Sequence, residues 1–237
     1  MHTDLGTPSG AHFDTFSVRR FKCKGSVINV AIGSDPSQQP GRKRGRPATA
    51  SRAEVLRAAT DQFLSGQRVD VTVIAGTLGV SRATIHRWFG SRERLLGEVI
   101  ATELELLIAR GRKRVRKRGA AGLLDVFDQI NRALARSTAL RRLVEEEPSG
   151  ALRVLTSSGG IVQPRAVACV QELIAAEVRA GRYEPPAEPA TLAYAIVRLA
   201  EAFLYNDAAF GIRGDHERLR EIESALLGVS RTKRART

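Results

Sequence analysis

The segment Asp70–Leu96, DVTVIAGTLGVSRATIHRWFGSRERLL, most constrains what this chain can fold into. Four of its apolar residues recur at helical spacing: Val71, Ile74, Ala75 and Leu78. This spacing gives a short helix one buried stripe, and Asp70 is a suitable N-cap for it. Gly79 then permits the positive φ of a tight turn, and Ser81 caps a second helix that Ile85 would anchor. Together these intervals predict a helix-turn-helix over about residues 70–89.

The rest of the chain after Ser51 is also patterned for helices. Ala, Leu, Glu and Arg dominate it, prolines and glycines divide it into helix-sized pieces, and no strand-like alternation persists. We therefore predict an all-α fold, with a small N-terminal lobe made from the first four helices and a larger lobe from the remainder. The predicted helices are 51–65, 70–78, 81–89, 92–110, 120–136, 138–146, 148–157, 163–180, 188–210 and 215–229.

The charge of the chain favours a polyanionic partner. Its 237 residues carry a formal charge of +13, and the sequence pI is near 10.9, which suits a protein that neutralises phosphates. An architectural protein that binds DNA without sequence preference would share this property. No run approaches the roughly 18–20 apolar residues that a membrane span requires. We therefore predict a cytoplasmic protein without membrane association, located at the nucleoid when it binds DNA.

No catalytic or metal-binding pattern competes with nucleic-acid binding. Cys23 and Cys169 stand far apart, and the histidines show no metal-ligand spacing. There is neither a nucleophile elbow nor a phosphate-cradling glycine loop. The acidic run 145–147 consists of consecutive residues, which fan around a helix end instead of converging. We expect no enzymatic activity, no metal and no cofactor.

From about Arg52 to Leu96 the sequence resembles the TetR family of bacterial repressors. The residues that carry the resemblance are Phe63 and Gly66 after an alanine-rich helix, Ile74-Ala75, Gly79-Val80-Ser81, Thr84, Phe89, Ser91, Arg92 and Leu95. The family implies a homodimer whose recognition helices enter successive major grooves of near-palindromic double-stranded DNA, with a variable helical ligand domain behind. His86, Trp88 and Arg92 depart from the usual family residues, and the stretch between Phe63 and Ile74 is about two residues short.

The start of the second helix of the motif supplies the candidate DNA contacts. Arg82, Ala83 and Thr84 are predicted to meet base edges, since arginine can bond guanine bidentately and alanine can meet a thymine methyl. The predicted contacts to the DNA backbone are His86, Arg87, Trp88 and Arg92. Core packing is an equally good interpretation of Trp88, and a solvated face is the alternative for the arginines.

A basic arm, GRKRGRP, precedes the first helix. Arg44-Gly45-Arg46-Pro47 resembles the core of an AT-hook, in which arginines lie along the floor of an A·T-rich minor groove. We predict that Arg44 and Arg46 reach the minor groove beside the major groove read by the helix-turn-helix. Nonspecific contact with phosphates is the alternative.

The larger lobe contains a late helix that is apolar on two sides, as expected for a helix that contacts both its own core and a partner subunit. In the family, the last two helices of each subunit form a four-helix dimer interface. The predicted interface residues are Leu192, Ile196, Leu199, Leu219, Ile222 and Leu226, with central burial within one subunit as the alternative.

Three segments resemble one branch of the family, the QsdR-like regulators of quorum-sensing-lactone degradation: TIHRWFGSRERLLGEV, the stretch 145–165 and the stretch 189–211. The resemblance implies a small γ-lactone or a related apolar effector that releases the protein from its operator. An effector pocket is apolar with a few placed polar groups. The candidate pocket residues are Phe127, Thr156, Tyr194, Arg198, Glu201, Phe203 and Asn206, each of which is alternatively a core or interface residue.

These interpretations divide the chain into five parts. The predicted parts are a disordered N-terminal extension (1–40), the AT-hook-like arm (41–50), the DNA-binding domain (51–110), the ligand-binding and dimerisation domain (111–229) and a basic tail (230–237).

Overall fold

The computed structural model describes residues 50–206 and 215–229, all of whose regular elements are helical. The helices are α1 Arg52–Leu64, α2 Val71–Leu78, α3 Arg82–Phe89, α4 Arg92–Arg114, α5 Gly119–Arg136, α6 Thr138–Glu146, α7 Pro148–Thr156, α8 Val162–Arg179, α9 Pro189–Glu201, a π-helical turn Ala202–Asn206, and α10 His216–Leu226. The all-α prediction is confirmed. No helix within the described ranges is long and apolar enough to cross a membrane. The predictions for residues 1–40, for Arg44 and Arg46, and for residues 230–237 lie outside these ranges.

Local capping explains where the first helices begin and end. Ser51 and Glu54 form a reciprocal capping box at the start of α1, which satisfies two backbone N–H groups. The Asp70 carboxylate accepts from two backbone N–H groups at the start of α2, and the Ser81 and Ser91 hydroxyls each cap the next helix. Gly79 ends α2 with a φ of 66°, which only glycine adopts without strain.

The first hydrophobic core joins the helix-turn-helix to two later helices. Val55, Ile74 and Ile85 are fully buried in it, which fixes α1, α2 and α3 against each other. Leu140 of α6 and Leu155 of α7 belong to the same core. The division into two lobes is therefore less sharp than predicted, since α6 and α7 are packed with the helices of the small lobe.

Helix α4 connects this first core to a second one. Its N-terminal half packs in the first core, whereas Ile108 near its C-terminus packs in the second, with α5, α8, α9 and the end of α10. The helix has 23 residues and extends four residues beyond the predicted end. The predicted helix 188–210 instead ends as an α-helix at Glu201 and continues as the π-helical turn. Most other bounds differ from the prediction by one residue.

Candidate DNA-binding surface and effector cavity

One face of α3 is exposed and cationic. Arg82, Ala83, His86 and Arg87 lie on it, and all four are exposed. The opposite face holds Ile85, which is buried in the first core and anchors the helix. An exposed helix face with arginine at its N-terminal end has the shape and charge that a major groove accepts.

Thr84 and Trp88 lie at the edges of this face. The Thr84 hydroxyl lies 2.9 Å from the Ser81 hydroxyl, so part of its hydrogen-bonding capacity is used in the N-cap. Trp88 is half-buried and packs against the first core. The structure thus supports packing for part of the indole, while leaving its remaining surface beside Arg87.

Arg92 was predicted to contact the DNA backbone, but its guanidinium is bound to other residues of the protein. Its two terminal nitrogens donate to the two carboxylate oxygens of Glu147 at 2.7 and 2.8 Å, and its Nε donates to the Val69 carbonyl at 2.8 Å. Arg68 donates to the same carboxylate at 3.0 Å. We call these four residues the Arg92 clamp. Because each of the three nitrogens of this guanidinium donates within the protein, the structure favours a structural role for Arg92 over the predicted phosphate contact.

The Arg92 clamp joins parts of the chain that are distant in sequence. Arg92 is the first residue of α4, Val69 precedes the helix-turn-helix, and Glu147 stands between α6 and α7. The hydrogen bonds from Arg92 above all, with that from Arg68, hold the pKa of the Glu147 carboxyl below its usual range, so the carboxylate stays charged at neutral pH. The clamp is a charged contact between the segments that flank the helix-turn-helix and the α6–α7 junction.

A cavity of about 70 Å³ lies between the two cores. Its walls come from α4, α5, α7, α8, α9, the π-helical turn and α10. The apolar residues that line it are Leu104, Ile108, Phe127, Ile130, Leu134, Leu155, Val162, Ala166, Val170, Ile196, Val197, Ala200 and Leu204. An apolar space of this kind suits a small apolar ligand.

Four polar side chains also line the cavity: Asn131, Glu201, Tyr205 and Glu223. Glu223 is fully buried, and its Oε1 accepts from Asn131 Nδ2 at 2.9 Å. Its Oε2 is buried and has no hydrogen-bond partner within the described ranges. Burial raises the pKa of Glu223 to about 7, well above the usual range of a carboxyl.

The carboxylate of Glu201 has more hydrogen-bond donors than that of Glu223. Its Oε2 accepts from Arg198 at 2.8 Å and from Gln163 Nε2 at 3.2 Å. Arg198 and Gln163 also both donate to the Thr156 carbonyl, which ties the end of α7 to α8 and α9. Burial raises the pKa of Glu201 in spite of these partners.

Residues 118–228 match the model of the tetracyclin repressor-like C-terminal domain. The chain is 29% identical to the transcriptional repressor QsdR of R. erythropolis, from the TetR family, whose structure superposes with a TM-score of 0.69 over 76% of this chain and 95% of that one. The chain has the TetR-like fold. The TetR-family repressor AlkX of Dietzia sp. Strain DQ12-45-1b shares it, with 20% identity and a TM-score of 0.52 over 77% of this chain and 100% of that one. No curated protein matches the sequence.

Proteins of the TetR family are transcriptional regulators, not enzymes. The match to residues 118–228 and the similarity to the QsdR structure therefore confirm the prediction that this chain is not an enzyme. The matched range 118–228 includes all the residues that line the cavity except Leu104 and Ile108 of α4.

The predicted pocket residues agree with the cavity in part. Phe127 and Glu201 line it, whereas Tyr194 is 52% exposed on the outer face of α9. The remaining described candidates are not among its lining residues: Thr156, Arg198 and Phe203. The Thr156 hydroxyl donates to the Leu152 carbonyl in its own helix, so that side chain is already used locally. The side chain of Asn206 lies outside the described part of the structure.

The prediction missed Asn131, Tyr205 and Glu223 at the cavity. A signal for Glu223 was present, because it stands between Leu219 and Leu227 on the apolar stripe of α10, where an acidic residue is out of place. Asn131 likewise follows Phe127 by one helical turn on a buried face. Such polar interruptions of an apolar stripe indicate groups that serve a partner rather than the solvent.

The predicted dimer residues also need correction. Leu192, Ile196 and Leu219 are buried within the protomer, with 1–2% of their surface exposed, so they pack in its own interior and present no surface to a partner. Leu199 and Leu226 are half-buried. Ile222 is 37% exposed and faces outward, as does Tyr194. Helical periodicity identified the apolar faces of α9 and α10, but the core of the protomer covers most of them.

Proposed function

We propose that this chain is a ligand-responsive transcriptional repressor of the QsdR-like branch of the TetR family. It binds near-palindromic double-stranded DNA as a homodimer and leaves it when a small apolar effector, such as a γ-lactone, enters the cavity. The observation that carries this proposal is the exposed cationic face of α3 in the same protomer as an apolar cavity.

The DNA contacts follow from the exposed face of α3. Arg82 bonds a guanine, and Ala83 and Thr84 meet neighbouring base edges. His86 and Arg87 contact phosphates, with the exposed part of Trp88 beside them. These contacts need two copies of the helix one turn of DNA apart, which a two-fold dimer supplies.

The effector part of the proposal draws on the cavity and on the resemblance to QsdR. The cavity is walled by apolar side chains and has four polar groups, a composition that suits a small, mainly apolar molecule. The 29% identity to a repressor named QsdR favours a lactone over other apolar molecules as the first class to test.

Two helices link the cavity to the DNA-binding surface. Leu155 near the end of α7 lines the cavity, and Glu147 of the Arg92 clamp directly precedes α7. Leu104 and Ile108 of α4 also line the cavity, and Arg92 begins α4. A ligand that displaces either helix therefore moves the Arg92 clamp. If the effector contacts α4 or α7 differently in the DNA-bound and the released conformation, it shifts the equilibrium between these two conformations.

For the homodimer we propose a face on α9 and α10 that includes Tyr194 and Ile222. Both are large residues with exposed apolar surface, and an isologous contact buries such surface on both subunits. The half-buried Leu199 and Leu226 belong to the same two helices.

The proposal is tested by selecting preferred DNA from a random pool and footprinting the selected site with and without γ-decalactone. We expect protection of a near-palindrome that is lost as the lactone is added. An architectural DNA-binding protein, which the charge of +13 favours, would instead protect all sequences equally with a steep salt dependence. That result would exclude a sequence-specific repressor and favour the architectural DNA-binding protein.

The basic arm is proposed to read A·T-rich flanks. Replacing Arg44 and Arg46 with alanine is expected to weaken binding by about tenfold on operators with A·T flanks and by less on those with G·C flanks. The matched control is the double change Arg42→Ala and Lys43→Ala, which removes the same charge outside the Arg-Gly-Arg core. If both double variants lose the same affinity on both operators, the arm contacts phosphates without reading the sequence of the flanks.

A further inference from the structure

We propose that the cavity selects a neutral apolar molecule through an acceptor oxygen, to which the protonated carboxyl of Glu223 donates a hydrogen bond. The inference rests on the proposed function, because it names the chemical class of effector that the same cavity takes.

The starting point is a buried polar atom without a partner. Glu223 is 0% exposed, and Asn131 uses only its Oε1. Oε2 has no hydrogen-bond partner within the described ranges, although the residue lines the cavity. Leaving such an atom unpaired costs free energy in every molecule without ligand. A bound molecule that meets Oε2 recovers that cost, which makes the position a recognition point.

The surroundings of Glu223 favour its neutral form. Arg220 precedes it on α10, but Arg220 is already paired with Asp125 at 2.7 Å and with Asp128 at 3.4 Å on α5. Asp128 itself adds a like charge, which disfavours a second carboxylate. On the other side, Glu201 of α9 and Tyr205 of the π-helical turn line the same cavity, and neither is a cation. Together with burial, these groups raise the pKa of Glu223 to about 7.

The Asn131 contact assigns the proton to one oxygen. Asn131 Nδ2 donates to Oε1, so Oε1 acts as the acceptor, carbonyl-like oxygen of the neutral acid. The hydroxyl of the acid is then Oε2, and it requires an acceptor. The cavity therefore presents a hydrogen-bond donor among apolar walls. Tyr205 lines the same cavity, and burial raises the pKa of its hydroxyl, which therefore also stays neutral.

This arrangement distinguishes three classes of apolar molecule. A lactone, ester or ketone offers an acceptor oxygen without charge and matches the donor. A fatty acid would bring an ionised carboxylate into an apolar cavity that also contains the carboxylate side chain of Glu201, which desolvation and like-charge repulsion disfavour. An alkylamine would require Glu223 to be ionised, so its binding would strengthen as the pH rises.

The test measures the binding of γ-decalactone, decanoate and decylamine to the full chain by calorimetry at about pH 6 and about pH 8.5. Only the protonated fraction of Glu223 is competent to donate, so we expect the lactone affinity to fall by about 30-fold between these pH values. Decanoate and decylamine are expected to bind more weakly than the lactone at the lower pH.

Three variants separate donation by Glu223 from its packing. Glu223→Gln keeps a donor at every pH, so lactone binding is retained and its pH dependence disappears. Glu223→Leu removes the donor and is expected to weaken lactone binding at least tenfold at the lower pH. The same change removes an unpaired buried oxygen but leaves Asn131 Nδ2 without its acceptor, so the thermal midpoint is measured for each variant. Lactone binding that is lost while the variant remains folded at the assay temperature is then not lost folding. Glu217→Gln, exposed on the same helix, is the matched control and should change nothing.

Two results would overturn the inference. One is tighter binding of decylamine than of the lactone at the higher pH, because Glu223 would then act as an anion. The other is lactone binding that is absent, or that is unchanged in Glu223→Leu. Operator footprinting with the same variants tests the proposed function separately from this inference. Release from DNA by a lactone independently of Glu223 leaves the repressor intact, and Glu223-dependent lactone binding without a preferred operator leaves the donor assignment intact.

Discussion

Replacing Glu177 with alanine is expected to lower the free energy of unfolding by about 3–5 kcal/mol. The Glu177 side chain is 2% exposed, and its oxygens accept from Arg112, Arg182 and the backbone N–H of Gly119. These partners belong to the end of α4, the start of α5 and the turn after α8, so one carboxylate joins three segments. Its removal leaves two arginines and a buried N–H without their acceptor. Urea or thermal unfolding measures the loss.

The matched control lies on the same helix. Glu172 pairs with Arg179, and both side chains are more than half exposed. Glu172→Ala is therefore expected to change the free energy of unfolding by less than about 0.5 kcal/mol. Equal effects of the two substitutions would show that burial and multiple donors give Glu177 no special role.

The same carboxylate predicts how stability depends on pH. The hydrogen bonds from Arg182 above all, with that of Gly119 and the charge of Arg112, lower the pKa of Glu177 to about 2. Because the folded pKa lies below the unfolded value of 4.5, the stabilisation is present above that value and is lost as the pH falls toward 2. Over this interval the wild type should lose about 3 kcal/mol more than Glu177→Gln. Parallel stability curves for the two proteins would contradict the assignment.

Replacing Arg82 with alanine is expected to cost about 2–6 kcal/mol of operator affinity in a dimer, since a bidentate arginine–guanine contact contributes about 1–3 kcal/mol at each half-site. The loss should be largest on the selected operator and small on unrelated DNA. Titration of both DNAs at one fixed salt concentration measures this ratio.

Arg87→Ala is the comparison for that result. It removes the same charge from the same exposed face of α3, but from a position proposed to contact phosphate. We expect it to weaken binding to all sequences to a similar extent and to lower the salt dependence. If Arg82→Ala behaves in the same way, Arg82 contacts the DNA backbone and the base readout belongs to other residues.

The helices were predictable because their signals are local. Ser51, Asp70, Ser81 and Gly79 begin or end helices through contacts within a few residues, and the apolar periods between them are visible in the sequence. The exposed face of α3 follows from the same periodicity once Ile85 is recognised as the anchor.

The errors concern contacts between distant segments. Arg92 meets Glu147 across 55 positions, and Asn131 meets Glu223 across 92, so no local pattern relates them. Periodicity also identifies an apolar face without saying what covers it, which is why Leu192 and Leu219 were assigned to a partner instead of the protomer's own interior. The acidic interruption at position 223 was readable, but its meaning depends on a cavity that only tertiary packing creates.

The Arg92 clamp has a consequence for engineering hybrid regulators. Exchanging DNA-binding modules between related proteins is usually planned at a loop, and the turn after α4 would be the obvious junction. Such a graft would carry Arg92 and Val69 but leave Glu147 behind, so a mostly buried arginine would lose its bidentate acceptor. A graft that keeps the Arg92 clamp must therefore transfer the α6–α7 junction together with the helix-turn-helix, so the first lobe is transferable only with part of the second attached.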